Sequence, residues 1–246
     1  MSNLIYGHHP VVEAIKAGKA VEKLFFQQGL RGESEREIRQ LARTHQIPLQ
    51  VVPKEKLSKM AGGNHQGVAA FLALISFVAI EEIVPHVLDR GQVPLLLLLD
   101  SVSDVRNFGA ICRTAECLGV HAVVVPQAGS APANEEAMKA SAGALARIAL
   151  CRVRSLFSTV EWLQQSGLQV VSTALTEHAY LPREVDLSLP TALLMGSEGS
   201  GVHPKLIKMA DRVVKIPQAT DFDSLNVGVA TGIMLYETLR QRTPEL

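Results

Sequence analysis

Three short clusters of polar residues in this chain carry side chains that a fold alone does not need. The first holds Asn107, Gly109 and, one helical turn further on, Arg113; the second is Met195-Gly-Ser-Glu-Gly-Ser-Gly201; the third is Ser224-Leu-Asn226. Asn and Ser are short hydrogen-bonders suited to orienting a hydroxyl, and arginine is a permanent cation that stabilises negative charge developing on an oxygen. Glu198, inside the glycine loop, would repel phosphates and suits a cationic or hydroxyl-bearing ligand. The loop glycines stand at 196, 199 and 201, so neither G-x-G-x-x-G nor G-x-x-x-x-G-K-[ST] is met. That spacing speaks against NAD and ATP. No Ser-His-Asp or Cys-His arrangement, no H-E-x-x-H and no clustered metal ligands occur, so no metal is expected. Plainer readings stand beside these. The glycine loop can be a turn into a helix at Pro204, and Arg113 can form an exposed ion pair with Glu116 worth only about a few tenths of a kcal/mol.

Each cluster follows an apolar run. Residues 94–100 form an unbroken run ending in Asp100, as expected of a strand buried on both faces of a parallel sheet. Residues 191–195 and 213–216 precede the other two clusters, and Pro217 ends the last strand because proline cannot donate to a sheet ladder. In an open parallel sheet, loops at the carboxyl ends of strands converge on one crevice. Further strands are expected at 121–125, 149–153 and 169–174, with helices between them. After the third cluster a helix is expected with Ser224 or Asn226 as its N-cap and with Leu225, Val229, Ile233 and Tyr236 on one face. Gly228 and Gly232 lie four residues apart in it, each costing about 1 kcal/mol relative to alanine. A close approach by another helix or by a ligand would justify them.

Ahead of this lies a smaller α/β pattern. Strands are expected at 21–26, 49–52 and 68–74, with a helix after Pro10, one capped by a Ser34/Glu37 box, and a short one at 54–61. The expected organisation is a substrate domain at 1–73, a connector at 74–80 and a second domain at 81–246. Residues 1–73 hold ten Lys/Arg against six Glu, a surplus of four positive charges that the remainder offsets to a net charge of zero. A positive front module suits an anionic partner, though a surplus of this size is also ordinary scatter. His65 and Gln66, in the turn Asn64-His-Gln-Gly67, and His8 and His9 are either turn and cap residues or contacts to RNA. Three cysteines without CxxC spacing give no disulfide framework, and the N-terminus lacks a basic-then-apolar leader. With no apolar run long enough to span a bilayer, a cytoplasmic protein is expected, without a membrane partner.

Taken together, Asp100-Ser-Val-Ser-Asp-Val-Arg-Asn107-Phe-Gly-Ala-Ile-Cys-Arg113, Leu194-Met-Gly-Ser-Glu198-Gly-Ser-Gly and Ile216-Pro through Ser224-Leu-Asn226-Val resemble the three motifs of SpoU/TrmH-type RNA 2′-O-ribose methyltransferases, in that family's order. The front segment resembles the substrate-binding domain of the members acting on bacterial ribosomal RNA, through Ile5-Tyr-Gly-His and His65-Gln-Gly-Val-Ala-Ala. Val105 departs from the usual proline, and Gly228 from a frequent serine.

The resemblance implies an α/β fold: a C-terminal parallel-sheet domain with a deep trefoil knot, an N-terminal RNA-binding domain, and a homodimer with the active site near the interface. It implies S-adenosylmethionine as cofactor, held by Gly196, Ile216 and Leu225 with Met195 and Thr173. It places Asn107, Arg113, Glu198, Ser224 and Asn226 in the catalytic neighbourhood. The implied substrate is a guanosine ribose in 23S ribosomal RNA. A transfer RNA substrate and a non-catalytic RNA- or ribosome-binding protein on the same scaffold are the alternatives; a nicotinamide oxidoreductase is excluded by the missing fingerprint. A ribose hydroxyl attacking a sulfonium methyl gains rate from positioning and from charge stabilisation, which these residue types supply.

Overall fold

The computed structural model describes residues 4–72, 74–220 and 224–243, and the chain divides into two compact units, Met1–Ser76 and Phe77–Leu246.

In the front unit four strands, β1 (Leu4–Tyr6), β2 (Val21–Gln27), β3 (Leu49–Val52) and β4 (Val68–Leu72), form a sheet in the order β1-β4-β2-β3. β4 runs antiparallel to both β1 and β2, and β2 pairs in parallel with β3. Two helices, α1 (His8–Lys16) and α2 (Glu33–Thr44), bury Val11, Ile15 and Ile38 against Leu24, Phe26 and Val68. A third helix, α3 (Lys54–Met60), puts Leu57 on Phe25, Val52 and Ala69, on the other side of the sheet. Leu24, Phe25 and Phe26 are all buried because both faces are covered here, which is why β2 shows no alternation. The expected Ser34 capping box does not form. α2 starts two residues earlier, with Gly32 at its N-cap at positive φ (119°) and no side-chain cap.

The second unit is a seven-stranded sheet whose paired strands all run parallel. Its strands are β5 (Phe77–Val78), β6 (Leu95–Asp100), β7 (Ala122–Pro126), β8 (Ala149–Val153), β9 (Gln169–Thr173), β10 (Thr191–Gly196) and β11 (Arg212–Val214), in the order β11-β9-β10-β6-β7-β8-β5. Part of the stretch 74–80 expected as connector is therefore a strand: Phe77 and Val78 pair with Leu150 and Cys151. Leu95 to Leu99 are buried throughout, flanked by β10 and β7. Leu96 and Leu98 pack with α4 (Ile80–Asp89), α7 (Leu156–Gln165) and α8 (Pro204–Met209) through Ile80, Val160 and Leu206. The alternate leucines face the opposite side.

Two helices position the site. α5 (Val105–Cys117) follows β6, and α9 (Val227–Arg242) packs against it. Gly228 and Gly232 are the seam. A Cβ at Gly228 would stand 4.0 Å from Ala110 and Ile111 side chains, and one at Gly232 would stand 3.8 Å from Thr114. The close approach is thus by a helix.

The face of α9 singled out by periodicity is the outward one: Val229, Ile233 and Tyr236 are exposed at 53%, 38% and 62%. The buried face is Val227, Thr231, Met234, Leu235 and Thr238. Its threonines go inside because their hydroxyls donate back to the carbonyls of Val227 (2.7 Å) and Met234 (2.9 Å), so no buried donor is orphaned. No helix among the described residues is long and apolar enough to cross a membrane.

Candidate active site

At the carboxyl end of β6, Asp104 caps α5 by accepting the Asn107 amide proton at 2.8 Å. This fixes Asn107 in the first turn. Across the sheet β10 lies next to β6, so its following loop, with Glu198, arrives beside Asn107. α9 arrives from a third direction with Asn226 as N-cap.

Asn226 Oδ1 accepts from the backbone amides of Gly228 (2.9 Å) and Val229 (3.3 Å). That assigns the amide orientation and leaves Nδ2 pointing at the neighbours. Nδ2 donates to Asn107 Oδ1 at 3.0 Å and to Glu198 Oε1 at 2.8 Å, and Asn107 Nδ2 donates to Glu198 Oε2 at 3.2 Å. Three side chains from three separate segments thus close one ring of hydrogen bonds, with a carboxylate as acceptor at both oxygens. The ring is accessible: Glu198 and Asn226 are exposed and Asn107 is half-buried.

The glycine loop is built rigidly. A Cβ at Gly196 would overlap the backbone of Gly201 and Val202, so only glycine lets the loop fold back on the strand. The Gly201 amide donates to the Ser197 carbonyl at 2.9 Å, and the hydroxyls of Ser197 and Ser200 lie 2.7 Å apart. Asp100, 9% exposed, anchors the far end. One of its oxygens accepts from Ser101 Oγ (3.0 Å) and the other from the His203 amide (2.8 Å). Asp100 and Asp104 were not singled out by function from sequence. An acid ending an apolar run, and an acid three residues before Asn107, were the available signals.

The remaining site residues cluster less tightly. Gly196 and Met195 are buried at the end of β10, and Thr173 is half-buried at the end of β9, its hydroxyl 3.4 Å from the Leu194 carbonyl and 3.7 Å from Met195 Sδ. Ile216, two residues past β11, and Leu225, just before α9, are half-buried. Ser224 is half-buried and makes no hydrogen bond to the described residues. Residues 221–223, between Pro217 and Ser224, lie outside the described residues.

Arg113 is not drawn into the ring. It sits six residues after Asn107, roughly 9 Å along the helix and about a third of a turn round it, exposed and without an ion-pair partner among the described residues. The plainer reading of Arg113, an ion pair with Glu116, does not form: that carboxylate lies 3.0 Å from Arg147 Nε.

The sequence profile of the SpoU rRNA methylase family matches residues 94–236, more than half the chain, and a profile for RNA 2′-O ribose methyltransferase substrate binding matches residues 4–77. The chain belongs to the SpoU methylase family. Among SpoU relatives, a Bacillus subtilis protein, YacO, assigned to the TrmH family of tRNA/rRNA methyltransferases is 33% identical over 98% of this chain and 96% of its own. Two solved structures are similar over nearly the whole length. One is the SpoU methyltransferase AviRb from Streptomyces viridochromogenes in complex with AdoMet, with TM-score 0.62, 25% identity, and 98% and 90% of the two chains covered. The other is an AdoMet-bound rRNA methyltransferase from Sinorhizobium meliloti, with TM-score 0.62, 27% identity, and 96% and 86% covered. A TrmH/SpoU tRNA modifying enzyme from A. aeolicus is 34% identical, with TM-score 0.58, over 63% of this chain and 78% of its own.

In the front unit of this SpoU methylase, the histidine motifs serve the fold. His65, 7% exposed, accepts the Gly67 amide proton at Nδ1 (3.0 Å), so its Nε2 carries the proton toward Ser58 Oγ at 3.1 Å. Gln66 Oε1 accepts from the His8 amide at 3.1 Å, and the Gly7 amide donates to the Val68 carbonyl at 3.0 Å, tying the two motifs together. His8 Nε2 lies 3.2 Å from Glu37 Oε2.

Proposed function

We propose that this chain transfers the methyl group of S-adenosylmethionine to the ribose 2′-hydroxyl of a guanosine in 23S ribosomal RNA. The observation that carries the reading is the ring joining Asn107, Glu198 and Asn226 at the carboxyl ends of β6 and β10 and the start of α9. Such a ring has no structural need to sit in solvent, and it stands where an α/β sheet receives ligands.

The residues present fit the cofactor. Half-buried Ile216 and Leu225, buried Met195 and the Thr173 hydroxyl lie at or just beyond the ends of the neighbouring strands β11, β9 and β10 and at the start of α9, a surround suited to a nucleoside. The acid in the loop is compatible with a sulfonium and hostile to a phosphate chain. Gly196 keeps the loop folded back beside them. When bound, S-adenosylmethionine supplies an electrophilic methyl group.

The chain's own residues then do the rest. Asn226 and Asn107 hold Glu198 in place, and Ser224, the hydroxyl here without a partner among the described residues, orients the ribose. Arg113 meets the alkoxide developing on the 2′-oxygen, or the adjacent phosphate, as a fixed cation. A guanidinium does not act as a base unaided, so the 2′-hydroxyl proton passes to an oxygen of the adjacent RNA phosphate.

The exposed stripe Val229, Ile233 and Tyr236 on α9 supports a homodimer that covers it beside the site. The deep knot and a cytoplasmic location belong to the same proposal, as does RNA docking by residues 1–73 ahead of a catalytic 81–246.

Ribosomal RNA is favoured by coverage. The neighbour named for rRNA matches 96% of this chain, front unit included, whereas two named for tRNA match 63% and 61%. Transfer RNA stays the second reading because one of those two has the higher identity, 34%. The test is methyl transfer from labelled S-adenosylmethionine to unmodified 23S ribosomal RNA and to transfer RNA in competition. Label in 23S guanosine ribose supports the proposal; label confined to transfer RNA selects the second reading; RNA binding without label would make this a binding protein.

A further inference from the structure

With His65, Gln66 and His8 engaged inside the front unit, a different surface is left to meet RNA. The register sets Leu4 and Lys23 against Phe71, and Tyr6 and Phe25 against Ala69. Side chains alternate along a strand, so Tyr6, Phe71, Lys23 and Phe25 project from one face, the face away from α1 and α2. Tyr6 and Phe71 each remain 37% exposed there.

Both rings are supported from behind. Phe71 meets Phe25 edge-on with centroids 5.8 Å apart, and Lys23 Nζ stands 5.6 Å from the Phe25 centroid. Tyr6 lies on Gly63, where an added Cβ would come within 3.2 Å of the phenol oxygen and 3.4 Å of the ring. The two exposed rings are diagonal neighbours across the β1–β4 pair, a relation that separates residues by roughly 7–8 Å. That spacing suits two bases splayed apart, one per ring, on adjacent strands.

Charge points the same way. α3, packed on this side of the sheet, carries Lys54, Lys56 and Lys59 against the single acid Glu55. Among the described residues neither they nor Lys23 closes on a carboxylate. On the opposite side, Lys16 and Arg39 are engaged by Glu37 and Glu35.

We propose that the outer face of β1, β4 and β2 is a stacking platform for two unpaired bases of the RNA substrate, one on Tyr6 and one on Phe71, with Lys23 and the α3 lysines neutralising the flanking phosphates. The platform rests on the RNA-methyltransferase reading and narrows its substrate to a single-stranded or looped segment, since a duplex hides its base faces.

Fluorescence anisotropy of the full chain with a short labelled unpaired RNA, and with the same strand annealed into a duplex, tests it. Single strand should bind more tightly than duplex. Tyr6→Leu and Phe71→Leu should each weaken single-strand binding about fivefold or more, the low end of one lost base stack. Tyr6→Phe and Phe71→Tyr should keep it, and Lys56→Gln with Lys59→Gln should flatten its salt dependence. Equal binding of duplex and single strand, or leucine variants that bind like the parent, overturns the platform alone. Where a leucine variant does not fold, photo-crosslinking of a thiouridine-bearing oligonucleotide to the parent chain decides: crosslinks at residues 6 or 71 support the platform, and crosslinks confined to α1 and α2 overturn it. A parent chain that binds no RNA of any kind removes the platform together with the reading beneath it.

Discussion

The turn at His65 and the ring at Asn107, Glu198 and Asn226 are both polar clusters in loops, yet they are spent differently. His65 is buried, and both its ring nitrogens have partners within ten residues of chain. Its bonds satisfy a turn that has Gln66 and Gly67 at positive φ. The ring instead joins side chains 91 and 119 residues apart, in the open, where water would satisfy each of them at no cost. A buried polar cluster with local partners is what a turn requires. An exposed one assembled from distant segments has to be explained by what it binds. Arg113, which the proposed reaction also uses, is exposed and has no ion-pair partner among the described residues.

Substitutions can break this comparison. The largest effect is expected at Arg113→Ala: turnover falls by about 10²–10³ or more, as for other losses of a charge-stabilising donor, while S-adenosylmethionine binding by calorimetry is retained. Undiminished turnover would remove Arg113 from the chemistry. Next comes Asn226→Ala, which removes two bonds of the ring and the α9 cap together. Turnover should fall by about tenfold to a hundredfold, with a loss of about 1 kcal/mol in denaturant unfolding from the cap. A variant that loses the stability but keeps the turnover would make the ring structural, like the His65 turn.

His65→Ala should show the converse. Unfolding free energy drops by about 1–3 kcal/mol because the Gly67 amide and Ser58 hydroxyl lose a buried partner, and kcat of the folded fraction stays within a small factor. A kcat loss matching that of Asn226→Ala would erase the distinction.

The smallest effect concerns pH. Burial pushes the His121 imidazole below its ordinary value, and the nearby Arg242 and Arg90 charges add to this. Its Nδ1 accepts the Leu95 amide proton at 3.0 Å, which needs that nitrogen unprotonated. The unfolded chain therefore binds the proton more readily. Stability should be full above about pH 6.5 and decline as pH falls below it through the depressed folded value. Melting temperatures across that window should slope less in His121→Gln than in the parent, and equal slopes would contradict this.

How much of this was legible depends on whether the deciding contacts are local. The leucine run 95–99 announced a doubly covered parallel strand, and the polar residues after β6 and β10 and before α9 announced three segments that meet. Which residue bonds which was not legible, because it follows from β10 lying beside β6 and α9 lying on α5, neither of which is written nearby in sequence. The same limit reversed α9. The helix is apolar on several sides, and nothing local reveals that Thr231 and Thr238 hide their hydroxyls in backbone bonds while Val229, Ile233 and Tyr236 stay outside. At Ser34 the capping pattern was present, but a glycine with positive φ started α2 first. Glu116 pairs with Arg147, 31 positions on, and Arg113 has no ion-pair partner among the described residues.

Hydrogen–deuterium exchange of the intact chain with and without S-adenosylmethionine tests most directly whether these distant segments close around one methyl donor. The account predicts protection appearing together at residues 172–175, 195–202 and 215–228, with the front unit unchanged. Protection confined to one of these stretches, or centred in residues 4–72, would contradict it.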